Sequence, residues 1–72
     1  MFKVDDRVID CRGSLGTVVK IIENTSYPVR VEFDYTSYGE IAFTLDGRYV
    51  TKAGTDSLYN IRKLTPLEKA MK

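Results

Sequence analysis

A chain of 72 residues with 43% hydrophobic content, one cysteine and no histidine is long enough for a single small domain. At this size folding buries only about 60% of the unfolded surface, so the core must carry the stability or be helped by self-association. A single cysteine excludes an internal disulfide, and the lack of histidine argues against a zinc site. The net charge of +1 is split into −3 over residues 1–47 and +4 over residues 48–72, a pattern that fits either an interaction tail or the scatter of a short chain.

The lone thiol, Cys11, fits a reducing cytoplasm. Charges at Lys3, Asp5, Asp6, Arg7, Asp10, Arg12 and Lys20 leave no room for a secretory signal in the first twenty residues. No apolar run approaches the roughly 18 residues of a membrane span, so no membrane association is expected.

In chain order, "RVIDC" (7–11) reads as a short strand and "RGSLG" (12–16) as a turn. "TVVKII" (17–22) is a second strand, apolar on both faces, as expected where a strand bends across a small barrel. The loop "ENTSYP" (23–28) leads into "VRVEF" (29–33), where Val29, Val31 and Phe33 face one way and Arg30 and Glu32 the other. After the turn "DYTSYG" (34–39), "EIAFTL" (40–45) alternates again, with Ile41, Phe43 and Leu45 expected inward and Glu40, Ala42 and Thr44 outward. Asp46-Gly47 then predicts a type I′ hairpin with "RYVT" (48–51) as its return strand.

"KAGTDS" (52–57) is a loop, and "LYNIRKL" (58–64) a last strand with Tyr59 and Ile61 on one face and Asn60 and Arg62 on the other. Thr65 as N-cap and Pro66 at the first helical position predict one helical turn or a tail over 65–72. The fold class expected is all-β, a small barrel of five to six short antiparallel strands over residues 1–64, followed by that tail.

The order "FKVDDRVIDCRGSLGTVVKI" then "YPVRVEF" resembles the opening of SH3-like barrels, and with "FTLDGRY" it is similar to a group of small, largely uncharacterised phage and prophage proteins. Gly16, Thr17, Val18, Tyr27, Pro28, Val29, Val31, Phe33, Phe43, Thr44, Asp46, Gly47, Arg48 and Leu58 match that outline. Asp5 departs from it where glycine is usual, and Ser14-Leu15 where an aromatic is common. The resemblance implies an SH3-like barrel over residues 2–64 and a phage or prophage setting. It carries no activity across.

Catalytic chemistry is thin. Without histidine no Ser/His/Asp or Cys/His set can form. Cys11, mid-strand, reads as a small buried residue. "GSLG" lacks the Lys-Ser/Thr ending of a phosphate loop, and a strand follows it. Asp5 and Asp6 point apart on an extended chain. A carboxylate pair from Asp34, Glu40 or Asp46 is the one catalytic option left, and the balance favours a non-enzyme without cofactor or metal.

Binding is the better use of these residues. Tyr35, Tyr38, Arg48, Tyr49, Tyr59, Arg62 and Lys63 form the candidate surface, with Asp46 and Gly47 setting turn geometry. Each tyrosine alone reads rather as a half-buried rim residue, and Arg48 equally as an ion-pair partner of Asp46 or Asp34. Three occupants fit. One is a host protein or a second copy of the chain as a homodimer. Another is RNA or single-stranded DNA gripped by Arg48, Lys52, Arg62, Lys63, Lys69 and Lys72, although the near-neutral pI of 7.8 speaks against a strong nucleic-acid binder. The third is a small anionic ligand such as a nucleotide signal.

Overall fold

The computed structural model describes residues 2–35, 39–55 and 57–70. Its main sheet contains β1 (Arg7–Asp10), β2 (Leu15–Ile21), β3 (Val29–Phe33), β4 (Glu40–Phe43) and β7 (Ile61–Lys63), ordered β4-β3-β2-β1-β7 and antiparallel throughout. A two-strand ribbon of β5 (Val50–Thr51) and β6 (Gly54–Thr55) follows β4, and a 3-10 turn (Ser57–Tyr59) precedes β7. The short helix α1 (Pro66–Ala70) ends the described chain. The sheet curls into half of a small barrel, so the all-β class expected from the sequence stands.

The curl has a local cause. The β2–β3 register passes from Val18↔Val31 directly to Lys20↔Arg30, leaving Val19 as an extra residue on β2. Such a bulge bends its strand and increases the twist. The N-terminal segment clasps β2 at that point, with Asp5 N–H donating to Val18 O (2.7 Å) and Val18 N–H donating to Asp6 O (2.9 Å). Asp5 has a φ of +77°, a left-handed conformation that favours glycine.

The alternation of β3 is realised fully. Val29, Val31 and Phe33 are buried with Val8, Val18, Phe43 and Ile61, and Phe2, Ile21, Ile41 and Tyr49 pack against this cluster from its edges. Each buried valine or phenylalanine contributes about 1.5–3 kcal/mol relative to exposure, the main stabilising term available to so small a chain.

Four expectations are corrected, besides β2 opening at Leu15 inside the expected turn 12–16 and β6 forming inside the expected loop 52–57. β4 ends at Phe43, and Leu45, expected inward, is exposed. Asp46-Gly47 does not form a type I′ turn: Asp46 is not left-handed, whereas Gly47 is, at φ +87°. Gly47 N–H donates to Thr44 O, and Thr44 N–H to Arg48 O (both 2.9 Å), so Leu45 and Asp46 are the central turn residues and Gly47 is the left-handed residue that follows. That placement turns Leu45 outward. Residues 48–51 do not return along β4. Instead Gly47 O accepts from Ile61 N–H (2.8 Å), which ties the loop to β7 and draws the sheet towards closure, while Val50 and Thr51 pair with Thr55 and Gly54.

The third correction is at Tyr59, which belongs to the 3-10 turn; the last strand begins only at Ile61. The fourth is Cys11, which is exposed. The Asp10 carboxylate accepts from the backbone N–H groups of Arg12 and Ser14 (2.9 Å each), so the chain turns immediately after Asp10 and carries Cys11 out of the sheet. At the other end, Thr65 and Glu68 form a reciprocal cap on α1: Glu68 N–H donates to Thr65 Oγ1 (3.1 Å) and Thr65 N–H to Glu68 Oε1 (2.8 Å).

Candidate functional site

The turn after β1 places Arg12. Its Nε and Nη2 both donate to Asp10 Oδ2, at 2.9 and 2.7 Å, and Nη2 also donates to the Tyr35 hydroxyl at 2.9 Å. Asp10 is the one buried charged side chain among the described residues. Its carboxylate is satisfied by two backbone N–H groups and the guanidinium, which removes the usual penalty for burying a charge. The Tyr35 hydroxyl and the Asp10 carboxylate raise the pKa of Arg12 above its ordinary value, so its charge is fixed at any working pH.

Beyond Arg12 the aromatic side chains form a circuit. The guanidinium carbon lies 4.3 Å from the Tyr59 ring centroid and 5.6 Å from that of Tyr35. Tyr59 meets Tyr49 edge-on at 5.3 Å, Tyr49 meets Phe43 at 5.8 Å, Phe43 meets Phe33 at 6.1 Å, and Phe33 meets Tyr35 at 5.8 Å. Arg12 closes the loop between Tyr59 and Tyr35. With Ile41, these residues line a cleft of about 200 Å³.

Each rim residue has an identifiable support. Tyr35 follows β3 directly, and Asp34 beside it is held by a two-pronged bond from Arg7, at 2.9 and 2.6 Å. That pair raises the pKa of Arg7 and lowers that of Asp34. Tyr49 is fixed by its backbone N–H donating to Asn60 Oδ1 at 2.9 Å, and Tyr59 by the 3-10 turn. The Gly47–Ile61 contact brings these two segments together.

Of the residues singled out in the sequence, Tyr35, Tyr49 and Tyr59 meet at the cleft. Arg48 does not line it. Arg48 stands exposed, 3.3 Å from Asp46, which is also the acceptor for the Thr44 hydroxyl; Asp34 belongs to Arg7. Arg62 forms a two-pronged bond to Glu68 (2.8 and 2.9 Å), and Lys63 lies 3.4 Å from Asp6. Tyr38 and Lys72 lie outside the described residues. Arg12 is the participant that the sequence did not reveal, because only the fold brings it against tyrosines 23 and 47 positions away. The signal that existed was local: Asp10, Arg12 and Ser14 match a carboxylate-anchored turn.

Among the described residues the lining offers stacking surface, three phenolic hydroxyls and one fixed cation, with no carboxylate, thiol or imidazole. The proposed carboxylates for acid–base work are dispersed: Asp34 pairs with Arg7, Glu40 with Lys20 and Asp46 with Arg48. Among the described residues no group of three His, Cys, Asp or Glu side chains could hold a metal, and no helix is long and apolar enough to cross a membrane. A broader depression of about 700 Å³ lies between Phe2, Thr44, Leu45 and Asp46, but among the described residues it has no comparable set of converging polar groups.

No protein-family model, curated protein or solved structure matches the chain.

Proposed function

We propose that the protein is a non-enzymatic binding module that grips a segment of another polypeptide in the cleft between Arg12, Tyr35, Tyr49 and Tyr59. The observation that carries this reading is the closed aromatic circuit with one internally anchored arginine at its edge. Rigid aromatic surface beside a forked donor is the composition of interface hot spots. The likeness of "YPVRVEF" and "FTLDGRY" to phage and prophage proteins supports a bacterial cytoplasmic setting, with a host polypeptide as the partner and a second copy of the chain as the alternative.

The other two occupants fit less well. A strand of RNA or DNA needs several cations in reach of its phosphates. Arg48, Arg62 and Lys63 are each within 3.4 Å of a carboxylate and none lines the cleft. A small anionic ligand needs enclosure, and about 200 Å³ falls below the ~300–1,000 Å³ of ordinary ligand pockets.

A photo-crosslinking amino acid installed at position 35 tests the proposal in host lysate, with the same group at Tyr27 as control. β3 separates these two positions, and Tyr27 is also exposed. The expected result is a discrete, nuclease-resistant polypeptide adduct from position 35 that is absent from position 27. Equal adducts from both positions, or adducts removed by nuclease, would overturn it.

A further inference from the structure

The Arg12 guanidinium is held on one side only. Asp10 takes Nε and Nη2, and the Tyr35 hydroxyl takes Nη2 again, whereas among the described residues nothing accepts from Nη1. About a third of the side chain (32%) remains open to solvent. Asp10 is therefore a positioning residue: it immobilises the fork from behind and leaves an ordered donor edge beside the cleft. Among the described residues, the only charged one in the cleft lining is this arginine. An arriving lysine or arginine would meet like charge, and the cation position over Tyr59 is already filled at 4.3 Å.

We infer, on the basis of the binding role proposed above, that the cleft takes a polypeptide segment carrying an aspartate or glutamate within one or two residues of an aromatic or large aliphatic side chain. The apolar side chain enters among Ile41, Tyr49 and Tyr59, and the carboxylate accepts from Arg12 Nη1. One apolar side chain suits a cleft of about 200 Å³, and an anchored guanidinium loses little freedom when it takes on a second carboxylate.

The test is selection of a random twelve-residue peptide display library on the immobilised full chain. Titration of the enriched peptides by fluorescence polarisation follows. The expected result is enrichment of an acid beside an apolar residue. Replacing that acid by its amide should weaken binding by about tenfold or more, as expected for the loss of a charge-assisted bond. Arg12→Lys, which keeps a cation for Asp10 but loses the fork, should bind the acidic and amide peptides nearly alike. If Arg12→Lys does not fold, the acid-to-amide comparison on the unaltered protein decides alone.

Peptides that lose binding in Ile41→Asp yet show no preference for an acid would overturn this inference and leave the cleft as a polypeptide site. Selected peptides indifferent to Ile41→Asp and to Tyr35→Ser, or no enrichment at all, would overturn both readings. Displacement of the peptide by oligothymidylate at equal concentration would replace the polypeptide with a nucleic acid.

Discussion

Gly47→Ala is the sharpest test of how the site is assembled. Gly47 has a φ of +87°, and a Cβ added there would lie 2.6 Å from Ile61 O and 3.0 Å from two ring carbons of Phe2. A left-handed conformation costs an alanine about 1–2 kcal/mol. The contact with Ile61 O is to backbone, so the loop and β7 must separate, an overpacking cost of about 1–3 kcal/mol. The bond from Ile61 N–H to Gly47 O sits in the same place, and its loss costs about 1 kcal/mol more.

The expected destabilisation is thus about 3–6 kcal/mol, comparable with the whole stability a core of this size supplies. In a thermal melt followed by circular dichroism the midpoint should fall by about 15 °C or more, or the transition should vanish. Gly13→Ala is the control: it has the same φ of +87° but no atom within 4 Å of its added Cβ, so it should lose only the conformational cost of about 1–2 kcal/mol. Equal losses in the two variants would refute the steric argument and, with it, the claim that the Gly47–Ile61 contact draws the loop onto β7.

Three further outcomes follow from the same structure. Phe43→Ala, at the fully buried centre of the core, should cost about 3–5 kcal/mol in urea denaturation and leave little folded protein. Asp10→Ala should cost about 1–3 kcal/mol by leaving the turn N–H groups of Arg12 and Ser14 without their acceptor, and should broaden the Arg12 side-chain NMR signals as the guanidinium is released. Acid should destabilise the fold. Arg62 and the Thr65 N–H hold the Glu68 carboxyl at about 2, against an ordinary 4.5, while Arg7 holds Asp34 low and the Lys3 N–H holds Asp6 low. Groups whose folded pKa is depressed stabilise above their unfolded pKa and lose that contribution as pH falls. The melting midpoint should therefore decline as pH drops from about 4.5 towards 2, and Glu68→Gln should flatten the part of the decline due to the helix cap.

What could be read from the sequence was the part governed by period two. "VRVEF" gives β3 with the bounds Val29–Phe33 and its three inward residues, because alternation over five residues has one solution on a half-buried sheet. The reading failed where side chains redirect the backbone. Asp10 ends β1 by capturing two N–H groups, which exposes Cys11 and releases Arg12 towards Tyr35 and Tyr59. Leu45 continues the apolar alternation, yet the turn that needs Gly47 in third place begins one residue too early for Leu45 to face the core. Composition directed attention to the basic C-terminal third. There the structure joins Arg62 and Lys63 to acids from α1 and the N-terminal segment, and gives the cleft a cation from the acidic half instead.

The most direct measurement of the central claim is an amide-proton and side-chain NMR titration of the labelled protein with an acid-bearing peptide from the selection. Shifts should concentrate at Arg12, Tyr35, Ile41, Tyr49 and Tyr59, with the Arg12 guanidinium among the largest. Shifts centred instead on Phe2, Leu45 and Asp46, or on Arg48 and Lys63, would contradict the claim.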